Sequence, residues 1–115
     1  MRAWIITKDH LFETDTETSD CAGTVGPAGV TDDQEALLSP GKKLPEGIER
    51  RAFRMYDDDG VLCFSGRAIY DKPDEGSEPD EDALVGPLMD FGRAYAGACR
   101  IKWHGRPEWE SIYIY

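Results

Sequence analysis

Residues 50–71 read RRAFRMYDDDGVLCFSGRAIYD, and the fold turns on how this stretch bends. RRAFRMYD and VLCFSGRAIYD are both rich in aromatic and β-branched residues, and an acidic, glycine-ended segment separates them. That pattern predicts a β-hairpin. The three carboxylates Asp57, Asp58 and Asp59 also invite a metal-loop reading. An EF-hand loop needs oxygen ligands at alternate positions, glycine at the sixth and a bidentate glutamate at the twelfth. Counted from Asp57, the third position is Asp59, but the fifth is Val61, the sixth Leu62 and the twelfth Ala68. The spacing fails. Turn chemistry fits better, because an aspartate side chain accepts bonds from the backbone ahead and Gly60 supplies the positive φ of a bulge. Two registers remain open: a bulged turn sets Met55 opposite Cys63, and a tight two-residue turn aligns Met55 with Leu62 and Phe53 with Phe64. A one-residue slip exchanges the buried face.

Upstream, AWIIT within residues 1–8 reads as an opening strand. Residues 13–47 begin ETDTETSDCAGTVGPAGVTDDQ, with few large apolar residues, and are expected to form a long, partly disordered loop. Inside it Thr31 can cap a short helical turn that Ser39-Pro40-Gly41 stops. Downstream, DKPDEGSEPDED over residues 71–82 reads as an acidic solvated loop. DALVGPLMDFG is expected to be a short helix broken at Gly86-Pro87 and ended by Gly92. CRIKWH and EWESIYIY predict a second hairpin around Gly105-Arg106-Pro107. With apolar side chains on both its faces, the last strand is expected inside the sheet. The sum is a single α+β domain: an antiparallel sheet of about five strands with the broken helix on one face.

Charge narrows the partners. Thirteen Lys and Arg against twenty-three Asp and Glu give a net charge of −10. Each approach to a nucleic-acid phosphate or an anionic membrane would be repelled, so a protein partner is expected to present a basic or neutral surface. No apolar run is long enough to span a membrane and no signal-peptide pattern opens the chain, which predicts a cytoplasmic protein. Cys21, Cys63 and Cys99 are an odd, widely spaced set outside any Cys-x-x-Cys pair, and read as reduced thiols, with Cys63 and Cys99 buried in strands.

Catalytic signals are weak. His10 and His104 are the only histidines, and His104 beside Gly105 reads as a turn residue more readily than as a base for Cys63 or Cys99. GTVGPAG, residues 23–29, lacks the Lys-Ser/Thr end of a phosphate loop. Asp90-Phe91-Gly92 spells a kinase triplet without any of the accompanying motifs. No catalytic, cofactor or metal residue is indicated. What stands out is the charge pattern, which nominates Asp57, Asp58, Asp59, Asp74, Glu75, Glu78, Asp80, Glu81 and Asp82 as a partner-binding set. Such acids can imitate a phosphate backbone before the basic groove of a nucleic-acid-binding protein. Two further classes stay open: a ligand or enzyme pocket between sheet and helix near Asp90, Arg67 and His104, and self-association through IYIY at a sheet edge.

FRMYDDDGVLCFSGR and PLMDFGRAYAGACRIKW, with the opening AWIITKD and the central VGPAG, resemble a group of small uncharacterised proteins encoded by high-GC Gram-positive bacteria and their phages and plasmids. Across most of the chain the shared elements are a Trp-bearing first strand, a Gly-Pro loop, an acidic turn followed by aromatic-x-Gly-Arg, and a DFG…AG…I-x-aromatic ending. The chain departs from that pattern at Arg93-Ala94-Tyr95 and in the longer acidic loop from Asp71. The resemblance carries no assigned activity; it implies a mobile-element setting and a host-interaction role.

Overall fold

A computed structural model of the chain describes residues 2–10 and 23–113. In chain order the strands are β1 (Arg2–Asp9), β2 (Val25–Gly26), β3 (Ile48–Tyr56), β4 (Leu62–Asp71), β5 (Arg100–Trp103) and β6 (Arg106–Ile112). The helices are α1 (Asp32–Leu37), α2 (Glu81–Pro87) and α3 (Arg93–Ala96), the last two joined by a π-helical turn, Leu88–Gly92. The strands form one antiparallel sheet in the order β2-β1-β4-β3-β5-β6. The fold is α+β. Among the described residues no helix is long and apolar enough to cross a membrane.

The predicted hairpin forms as β3 and β4, but in neither anticipated register. Met55 faces Phe64 and, across a one-residue bulge, Tyr56 faces Leu62. The turn explains the difference. Asp57 N–H donates to the Val61 carbonyl at 3.0 Å, while Asp57 Oδ1 accepts from Asp59 N–H at 3.0 Å and Val61 N–H at 2.8 Å. Those bonds close the loop between Asp57 and Val61, one step wider than a tight turn allows.

Period-two alternation then divides the sheet into two faces. Trp4, Ile6, Phe53, Met55, Phe64, Tyr70, Ile101, Trp103 and Trp109 point to one side, where Leu84, Leu88 and Phe91 of the helical segment meet them. Ala3 and Ile69 point to the other, under Leu38 and the partly buried Val25, Val30, Leu37 and Leu44. Residues 23–47 are therefore not simply a loop. They contribute a sixth strand and α1, and they pack against Ala3 and Ile69 on the second face. Thr31 caps α1 as expected, and Gln34 completes a reciprocal pair: Gln34 N–H donates to Thr31 Oγ1 at 3.2 Å, and Thr31 N–H to Gln34 Oε1 at 3.0 Å. The earlier part of the predicted 13–47 loop, Cys21 included, lies outside the described residues, as do Ile114 and Tyr115.

Three other expectations are corrected. The helix is not broken at Gly86-Pro87: it runs on through the π turn and ends at Gly97, which takes the left-handed conformation at φ +63. Gly92 is a packing glycine, since a Cβ there would lie 2.8 Å from Met55 Sδ. The last strand is an edge, not an inner strand; its Trp109 is buried but Ile112 is 51% exposed. The second hairpin turns at His104-Gly105, and Arg106 and Pro107 already belong to β6. Cys63 is buried in β4, whereas Cys99 is half-buried just before β5.

Candidate functional site

The nominated acids fall into two groups at opposite ends of β4. Asp57, Asp58 and Asp59 occupy the β3–β4 turn, where their carboxylates come within 4.8 Å of one another. Asp57 is half-buried and committed to the turn bonds given above; Asp58 and Asp59 are exposed. Asp74, Glu75, Glu78, Asp80, Glu81 and Asp82 follow the other end of the strand and are all exposed. A ten-residue strand at ~3.3 Å per residue separates the groups by about 30 Å. They are two patches, not one.

The second patch borders an open cleft of about 1230 Å³, walled by Glu49, Lys72, Asp74, Glu75, Glu78 and Glu108, with Arg106 and Trp109 also lining it. Glu49 joins the acids here through strand pairing, which sets it beside Tyr70, and Glu108 joins them from β6. Composition alone could not have nominated them. Below Trp109 the wall is a small network. The Tyr70 hydroxyl donates to Glu49 Oε1 at 2.8 Å and accepts from Arg51 Nε at 3.1 Å, and the Arg51 guanidinium also reaches Glu49 Oε1 at 3.3 Å and the His104 carbonyl at 2.7 Å. Arg51 and Arg106 each lie 5.2 Å from the Trp109 ring centre. Burial pushes the Tyr70 phenol up to about 12, the Glu49 carboxylate adding to the shift and Arg51 opposing it. Burial would also raise Glu49, but hydrogen bonds from Tyr70 and Arg51 outweigh it and hold its carboxyl below the usual range.

Between sheet and helix the described residues leave a small hollow lined by Tyr70, Pro79, Ala83, Leu84, Trp103 and Trp109. Aromatic side chains pack that layer edge to face, with Phe64 and Phe91 at 4.9 Å and Phe53 and Trp103 at 5.4 Å between ring centres. The three residues nominated for a pocket there are split. Asp90 is on the helix side, 3.4 Å from both Arg2 and Trp4 Nε1. Arg67 and His104 line a groove of about 500 Å³ on the opposite face of the sheet, beside Arg54 and Lys102. Cys63 packs in the helix-side core, away from His104, and burial, followed by the charge of Asp57, raises its thiol pKa and disfavours a nucleophilic thiolate. Phe91 of the Asp-Phe-Gly triplet is a core residue.

Comparison with protein-family models, curated proteins and solved structures finds no match. The surfaces themselves must carry the functional argument.

Proposed function

We propose that the chain is a non-enzymatic, cytoplasmic binding domain whose acidic end takes a Lys- and Arg-rich surface of another protein. The observation that carries this reading is the cleft beside residues 74–82, where the exposed carboxylates of Asp74, Glu75 and Glu78 line a cavity to which Glu49 and Glu108 add two more, with Asp80, Glu81 and Asp82 following in the same exposed segment. Its Trp109 already stacks on two guanidinium groups. Arg106, exposed and held by Glu108 at 3.7 Å and by the Trp109 ring at 5.2 Å, can give way to an arginine from a partner. A concentration of like charge of this kind steers an oppositely charged partner and speeds encounter. Partners that normally hold nucleic acid present such basic grooves, and a host protein of that class suits the mobile-element setting.

Titration with a short Lys/Arg peptide, followed by backbone amide shifts, tests the proposal. Support would be saturable shifts concentrated at Glu49, residues 74–82, Glu108 and Trp109. Absent shifts, or shifts spread evenly over all acids including Asp57 to Asp59, would overturn it.

One observation favours a second reading, pairing of copies along β6: it is a sheet edge with Ile112 half exposed. A monomeric mass by light scattering at high protein concentration would remove it.

A further inference from the structure

In a chain with net charge −10, the groove on the sheet face away from α2 is bordered by Arg54, Arg67 and Lys102, and among the described residues no Asp or Glu lines it. Strand register brings these cations together. Arg54 lies directly opposite Lys102 across β3 and β5, while Arg67, paired with Ala52, is the diagonal neighbour of Arg54 on β4. Phe53 and Met55 fill the helix-side core, so the residues between and beside them face this groove. Like charges set directly opposite on one face destabilise a sheet. The molecule keeps this arrangement although acids outnumber bases, and departures from local rules of this kind gather where a surface has work to do.

The compensation is incomplete. Lys102 has Glu110 at 3.6 Å and the Tyr56 ring centre at 4.9 Å; Arg67 Nε donates to the Leu38 carbonyl at 2.7 Å. Arg54 has no side-chain hydrogen bond or ion pair among the described residues. Between the long cations the floor is short: Thr7, Ala52 and Ser65. Thr7 Oγ1 donates to the Ser65 carbonyl at 3.2 Å, and Ser65 Oγ lies 2.6 Å from His10 Nε2, which places hydroxyls beside the guanidinium groups. Burial, then the charges of Lys8 and Arg54, lower the His10 pKa against the opposing pull of Asp9, in keeping with a positive field at this end of the groove.

Size and screening choose the occupant. A volume of about 500 Å³ suits an organic molecule and exceeds what an inorganic ion fills. An extended polyanion would meet the acidic remainder of the surface. A small ligand feels chiefly the cations within the ~8 Å screening length. We infer that the groove binds a small organic dianion, a phosphate monoester or a dicarboxylate, held by Arg54, Arg67 and Lys102. This inference does not rest on the acidic cleft at the other site.

The test is titration with AMP, with succinate and with uncharged adenosine at fixed ionic strength, read by backbone amide shifts, on the wild-type chain and on Arg54→Gln, Lys102→Gln and Lys43→Gln. Saturable binding of AMP or succinate is expected, and the one that binds identifies the ligand class. Removing either groove cation should weaken it by about tenfold or more, whereas Lys43→Gln, in the exposed loop, should leave it unchanged. Arg54→Gln without ligand should melt no lower than wild type, since a like-charge contact is relieved. No saturable binding of either anion at roughly millimolar concentration, equal affinity in Arg54→Gln, equal binding of adenosine, or an equal loss in Lys43→Gln would each overturn the inference.

Discussion

Replacing Tyr70 by Phe deletes one oxygen from the wall of the acidic cleft and little else. The ring stays edge-on to Trp103 and Trp109, each 6.1 Å away, so the core is not emptied. What goes is the bond donated to the Glu49 carboxylate at 2.8 Å and the one accepted from Arg51 at 3.1 Å. A hydrogen bond to a charged group contributes roughly 1.5–3 kcal/mol. Glu49 and Arg51 are 25% and 20% exposed and regain some water, which brings the expected loss to about 1–2 kcal/mol. For a chain of this size that lowers the melting temperature by about 4–8 °C. Urea unfolding should show a lower midpoint with an unchanged slope. The acid limb carries a second signature. Glu49 has a depressed pKa in the folded state, so its contribution is present above the unfolded value of 4.5 and is lost as pH falls through the folded one. The gap between wild type and Tyr70→Phe should therefore be largest near neutral pH and narrow below about pH 4. An unchanged urea midpoint, or a gap as wide in acid as at neutrality, would refute this account of the network.

The remaining predictions concern single residues. Asp57→Ala frees two backbone N–H groups and should cost about 1 kcal/mol in urea, whereas Asp58→Ala and Asp59→Ala should stay within about 0.5 kcal/mol of wild type. In a spectrophotometric titration Tyr70 should ionise in a separate late phase near 12; because its pKa is raised on folding, its contribution to stability should be intact below about 10 and fall as pH rises past that value. Gly66→Ala would drive a Cβ into the Ile5 carbonyl and within 2.5 Å of Phe53 Cζ, and should destabilise the sheet by about 2–3 kcal/mol in the same urea assay.

The central hairpin was legible because both of its signals are local, strand composition in each arm and Asp-Gly chemistry between them. Its register was not, since the bulge at Met55/Tyr56 depends on Asp57 reaching Val61 across the loop. Glycines misled for a related reason. Gly92 resembles a helix stop in sequence, yet it is a close approach to Met55, and Gly97 makes the stop instead. Pro87 suggested a break, but the π turn that follows it lets the helical segment continue. Trp109 and Ile112 gave the last strand two apolar faces; only sheet order reveals that one of them borders solvent. The acids of residues 74–82 were plain from composition. Glu49, Arg51 and Tyr70 become neighbours only through β3–β4 pairing, and the cationic groove only through the pairing of β3 with β4 and β5.

The most direct test of the acidic end as a docking surface is the affinity of a short Lys/Arg peptide measured from about 50 to 300 mM salt. Three chains are compared: wild type, a variant with Asp74, Glu75, Glu78, Asp80, Glu81 and Asp82 changed to their amides, and one with Asp57, Asp58 and Asp59 so changed. The account predicts steep weakening with salt for wild type, a loss of at least about tenfold with a flattened salt slope for the first variant, and near-wild-type binding for the second. Equal binding by wild type and the six-residue variant, or a loss confined to the Asp57 to Asp59 variant, would contradict it.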